Sequence, residues 1–81
     1  MRLFLKLRDI LYIMNFKIDT EYIELYQLLK VTGLCMSGGE AKFAITQEKV
    51  QVNGAVETRK KNKIRTGDQV KFSGETITVT D

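Results

Sequence analysis

The chain has no histidine and no proline, and its single cysteine is Cys35. Without histidine it lacks the commonest general base and the commonest metal ligand, and one thiol cannot build a zinc site. Carboxylates are present, but no spacing sets two of them around a pocket. The composition therefore points to a binding module rather than an enzyme, with no cofactor and no metal. One cysteine cannot close an internal disulfide, which suits a reducing cytoplasm. Low-complexity tracts, internal repeats and long apolar runs are also missing. The most apolar stretch, MRLFLKLRDILYI, occupies the first thirteen residues and is interrupted by Lys6, Arg8 and Asp9. It is too short and too charged to span a bilayer. Nor does it have the uninterrupted apolar core and cleavage site of a secretory signal. Residues 1–13 are read as an N-terminal extension: either a helix packed on the domain or a stretch upstream of a true start at Met14. A basic amphipathic helix over Arg2 to Tyr12, lying on a membrane surface, is a minor reading; no membrane partner is expected.

What is present fits one small globular domain, residues 14–81, in a chain that is 43% hydrophobic and 28% charged. Its charge is uneven. Between Lys42 and Arg65 stand seven basic residues, Lys42, Lys49, Arg59, Lys60, Lys61, Lys63 and Arg65, opposed only by Glu48 and Glu57. That segment outweighs the net charge of +3 of the whole chain, so the remainder is slightly acidic. A local basic excess on a small domain is the electrostatic footprint of a nucleic-acid binder, although such clusters are often only solvated surface.

Local signals divide the domain into a helical half and a strand half. Phe16-Lys17-Ile18 reads as a short edge strand, and Tyr22-Ile23 has extended character. Leu25, Leu28 and Leu29 recur at helical spacing before Gly33, which predicts a helix from Glu24 to Thr32. Ser37 is a good N-cap with Glu40 in the capping-box position, so a second helix is predicted from Gly38 to Gln47. The short link Leu34-Cys35-Met36 makes the pair an αα-hairpin, with Cys35 a small buried hydrophobe inside it. On the second helix Ala41, Ala44 and Ile45 form the packing side. Phe43 lies at the flank, and Lys42, Thr46 and Lys49 line the opposite side. Tyr22, Tyr26 and Phe43 could stack on bases, but their spacing favours packing in the core or at its flank. Beyond the helices, Asn53-Gly54 is a strong hairpin turn between Val50–Val52 and Ala55–Val56. Two further strands are expected at Gln69–Phe72 and Glu75–Thr80, joined by Ser73-Gly74. Between the hairpin and these strands Thr58 to Lys63 reads as a basic loop, held near the helices by Ile64. The fold class is α+β, a helix hairpin on a small, mostly antiparallel sheet.

The residues then carry a resemblance. Leu28-Leu29, Gly33-Leu34, Ser37, Glu40-Ala41-Lys42, Ile45, Val50-Gln51-Val52-Asn53-Gly54 and Gly67-Asp68 stand where the RNA-binding domain named after ribosomal protein S-four, the αL motif, has its pattern. With Ser37-Gly38-Gly39 and Ile18-Asp19-Thr20-Glu21, the chain is similar to the small stand-alone YaaA/YbcJ-like bacterial proteins. The resemblance implies non-catalytic binding of structured RNA, ribosomal RNA first and tRNA second, on a ribosomal subunit during assembly or stabilisation. No DNA partner is expected, and a chain of 81 residues is expected to fold as a monomer. Larger relatives join the domain to pseudouridine synthases, methyltransferases or tyrosyl-tRNA synthetases; those catalytic domains lie outside the resemblance, so their activities do not carry over. Two positions depart from the pattern: Gly38 stands where an arginine is usual, and Glu24 where the first helix tends to begin with a basic residue. The implied RNA-binding residues are Ser37, Gly38, Gly39, Lys42, Lys49, Asn53, Arg59, Lys60, Lys61, Lys63 and Arg65. A protein-interaction adaptor, its basic face docked on an acidic partner, is the alternative. A ubiquitin-like carrier ranks far lower, because Thr78-Val79-Thr80-Asp81 holds no diglycine.

Overall fold

The computed structural model of the chain describes residues 13–81. The expected N-terminal extension thus lies, except for Ile13, outside the described residues. Strand β1 (Ile13–Lys17) is followed by the short β2 (Ile23–Glu24), helix α1 (Leu25–Val31) and helix α2 (Gly38–Thr46). The chain continues through β3 (Val50–Val52), β4 (Ala55–Val56), β5 (Lys63–Ile64), β6 (Gln69–Phe72) and β7 (Glu75–Thr80). Five strands form one sheet in the order β1-β7-β6-β3-β4, and β2 pairs with β5 in a second ribbon. All pairs are antiparallel except β1 with β7. The α+β architecture, with its helix hairpin on a mostly antiparallel sheet, is the one the sequence predicts.

The sheet presents one apolar face to the helices. Val52 pairs with Val70, Val70 with Ile77 and Ile77 with Met14, so a single apolar row crosses four strands. Leu25, Leu28 and Leu29 of α1, Ala41, Ala44 and Ile45 of α2, and Val50, Val70, Ile77 and Val79 of the sheet make the centre of the core. Cys35, 1% exposed, fills the bend between the helices. Its burial pushes the thiol above its ordinary pKa, helped by the charge of Glu40.

Each helix ends within one residue of its expected bound, for local reasons. Thr32 closes α1 by donating its hydroxyl to the Leu28 carbonyl at 2.7 Å. Gly33 then takes a left-handed conformation, φ 82°, which glycine adopts without steric cost. At the start of α2 the Ser37 Oγ accepts the Glu40 N–H at 3.1 Å. The Glu40 carboxylate in turn accepts the N–H of Met36, one residue before the cap, at 2.7 Å.

Two expectations need correction. The segment expected as a loop over Thr58 to Lys63 ends in a strand, since Lys63–Ile64 pairs with Ile23–Glu24. Ile64 is fully buried and anchors that ribbon. The helical spacing that placed Lys49 beside Lys42 does not reach Lys49 either. Helix α2 stops at Thr46, and Glu48 is left-handed, φ 62°, so the chain has already turned toward β3.

Candidate nucleic-acid interface

The basic segment is fixed to the helix hairpin by five consecutive residues, Tyr22 to Tyr26. The Tyr22 ring carries the Lys63 ammonium 4.9 Å from its centroid and the Arg65 guanidinium at 5.8 Å. Ile23 and Glu24 pair with Ile64 and Lys63. The N–H of Leu25 donates to the Asn62 carbonyl at 2.9 Å, and that of Tyr26 to the Lys60 carbonyl at 3.1 Å. The Tyr26 ring lies under the Lys42 ammonium, 4.6 Å away. A ring under a cation attracts it by about 0.5–1 kcal/mol at an exposed site. Two tyrosines thus hold three cations that come from two separate parts of the chain, helix α2 and the basic segment.

The same arrangement explains how α1 begins. A helix start leaves its first N–H groups without partners inside the helix. Glu24, the N-cap, makes no side-chain cap bond, and loop carbonyls take that role instead. The basic segment therefore caps α1 with its backbone while its side chains Lys60, Lys61, Lys63 and Arg65 stay exposed. Arg59, Lys61, Lys63 and Arg65 border a shallow basin of about 430 Å³. The N-terminus of α2 adjoins this face through Tyr26: a Cβ on Gly38 would sit 3.7 Å from its ring carbons. Gly38 and Lys42 thereby flank the Tyr26 ring, whose own N–H is tied to the basic segment.

Three of the expected contact residues stand differently. Arg59 forms a bidentate pair with Glu57, Nε to Oε2 at 2.9 Å and Nη2 to Oε1 at 3.1 Å. Its side chain is 75% exposed while that of Glu57 is 14% exposed, so the pair is built outward from a half-buried carboxylate. The hydrogen bond from Arg59 holds the Glu57 carboxyl below its ordinary pKa. Glu57 also accepts from the Asn62 side chain at 3.3 Å, which braces the loop. Asn53 is committed within the fold. Its Nδ2 donates to Asp68 at 3.0 Å, and its Oδ1 accepts the Gln69 N–H at 2.9 Å. Asp68 also accepts the Arg65 N–H at 2.8 Å. Asn53-Gly54 and Gly67-Asp68 are thus two halves of one clip joining the β3–β4 turn to the start of β6. Lys49 lies with Gln51 and Lys71 around a separate small hollow, apart from the spine.

The aromatic residues also divide. Tyr26 packs partly into the core and Tyr22 is 36% exposed. Phe43, expected to pack in the core or at its flank, is 63% exposed on the outer side of α2. Sequence reasoning missed the role of Tyr22 and Tyr26 as cation supports; their spacing of four, with basic residues downstream, was the available signal.

The chain and its fold have known relatives. Residues 16–80 match the S4 domain family model. YbcJ of Escherichia coli (strain K12) is 48% identical over 58 residues, covering 72% of this chain and 83% of YbcJ. The probable ribosome maturation protein RlbA of Bacillus subtilis (strain 168) is 40% identical over 57 residues, covering 70% of this chain and 80% of RlbA. The solution structure of YbcJ from E. coli, described as revealing an αL motif involved in RNA-binding, superposes with a TM-score of 0.66 at 43% identity. It covers 83% of this chain and 86% of its own. A match over most of the described residues, in sequence and in fold, places the chain in the S4 domain family.

Proposed function

We propose that this chain binds structured RNA without catalysing a reaction on it. The RNA is ribosomal, met in the cytoplasm during assembly or stabilisation of a ribosomal subunit, with tRNA the second candidate. The observation that carries this reading is the Tyr22–Tyr26 spine, which fixes Lys42, Lys60, Lys63 and Arg65 on one side of the fold. Folded RNA is recognised mainly through its shape, phosphates and 2′-hydroxyls. A pre-arranged set of cations around a shallow basin suits that chemistry better than it suits a small substrate, which prefers a concave and largely apolar pocket. The names of the relatives give independent support: one αL motif described as involved in RNA-binding, and one probable ribosome maturation protein.

The contact set consists of Ser37, Gly38, Gly39, Lys42, Lys60, Lys61, Lys63 and Arg65, with Arg59 at its rim. Asn53 and Lys49 fall outside it, the first because its amide is used in the clip and the second because it sits elsewhere. The test is crosslinking of the tagged protein to RNA in cells, followed by sequencing of the recovered RNA. A variant carrying Lys60→Glu, Lys61→Glu and Lys63→Glu serves as control. Reads concentrated on one ribosomal RNA region and lost in the control are expected. Reads on tRNA would replace the ribosomal reading, and diffuse recovery insensitive to the control would leave the adaptor alternative standing.

A further inference from the structure

Phe43 is a large aromatic residue that folding leaves exposed in mid-helix. It lies in the middle of α2, where a phenylalanine lowers helix stability relative to leucine, lysine or glutamine. At 63% exposure it gains little from burial. Its neighbours on the helix surface are Gly39, four residues before, and Thr46, three after. Side chains on a helix lean toward its N-terminus, so Phe43 is directed toward the turn that holds Gly39. That position is open: a Cβ added to Gly39 would meet only the Ser37 Oγ, at 3.9 Å. Glu40, the nearest acid on the helix, is turned back onto the Met36 N–H. On the other flank Lys42 rests on Tyr26 and joins the basic face. An aromatic ring thus projects beside a cationic surface with nothing built over the turn it leans on.

We infer that Phe43 is a stacking site for an unpaired RNA base, next to the phosphate-binding face. This deepens the reading above and rests on it. The chemistry is consistent. Every base has a π-face, and stacking on an exposed aromatic needs no hydrogen-bond pattern. A ring on the hairpin's outer face would meet a nucleotide splayed from a loop or bulge, whereas the bases inside a continuous helix are stacked on one another. The preferred RNA is therefore a helix with an unpaired nucleotide near its end, not an uninterrupted duplex.

The chain has no tryptophan, so Phe43→Trp introduces a single indole at the proposed contact. Two probes are compared: a short RNA hairpin with an unpaired loop, and a blunt RNA duplex with the same stem. The Phe43→Trp fluorescence is expected to be quenched by the hairpin and not by the duplex. Phe43→Ala and Phe43→Leu are expected to bind the hairpin about tenfold more weakly, the scale of one base–aromatic stack, with the salt dependence of binding unchanged. Leucine keeps an apolar side chain without a π-face, so a hairpin affinity retained by Phe43→Leu would overturn the stack. Equal quenching by both RNAs, or none when salt-dependent binding is present, would overturn it as well. Failure of the unaltered protein to bind either RNA would instead overturn the RNA reading on which it rests. Circular dichroism of each variant separates loss of contact from loss of fold.

Discussion

At the scale of single residues, Asn53 shows how a motif can be recognised as a turn while its structural partner stays hidden in the sequence. The Asn-Gly pair was legible as a turn, because both central positions of such a turn need positive φ; they take 52° and 89°. Its partnership with Asp68 was not legible, because fifteen residues separate the two side chains and only the fold brings them together. Asparagine meets both needs at once, tolerating the left-handed backbone and bonding the start of β6 through each end of its amide. Asn53→Ala is therefore expected to destabilise the domain by about 2 kcal/mol, the combined scale of the lost hydrogen bonds and the left-handed conformation. The denaturation midpoint measures this, and RNA affinity at a temperature where the variant is folded should stay within twofold of the parent. A large loss of affinity with unchanged stability would return Asn53 to the contact set.

At the scale of elements, the first helix could be read from its leucine spacing, the second from its cap, and β3, β6 and β7 from turns and alternation. The first strand, expected at Phe16-Lys17-Ile18, runs Ile13–Lys17 instead. The β2–β5 ribbon was only half legible. Tyr22-Ile23 showed extended character, but a two-residue strand has no periodicity, and its partner Lys63–Ile64 looked like the end of a polar loop. That ribbon nevertheless decides where the cations go, since it places the Tyr22 ring against Lys63 and Arg65. Loss of the ring should free both side chains without removing either charge. Tyr22→Leu is expected to weaken RNA binding roughly two- to fivefold, by about 0.5–1 kcal/mol, the range of an exposed cation–π contact. Tyr22→Phe retains the ring and should bind like the parent. Binding titrations of the two variants on one RNA make the comparison; equal losses in both would assign the effect to the hydroxyl rather than to cation support.

Taken whole, the molecule separates its charges by structural role, and this could not be read from the charge run alone. Seven basic residues fall between Lys42 and Arg65, but they do not act as one unit. Arg59 is paired with Glu57, and Lys49 lies by the hollow shared with Lys71. The parallel pairing of β1 with β7 was equally hidden, because it joins the first and last described strands and no local pattern reports such a contact. In the proposed reading, Lys42, Lys60, Lys61, Lys63 and Arg65 are the cations that face one RNA together. If these five neutralise five phosphates, log K should fall with log salt concentration at a slope of about −4. Lys49→Gln should leave that slope unchanged, whereas Lys61→Gln should make it shallower by about one, the share of a single phosphate contact. Binding isotherms across a salt series distinguish the two substitutions. Equal changes in slope for both would mean that the whole basic run meets the RNA and that the spine does not select among its charges.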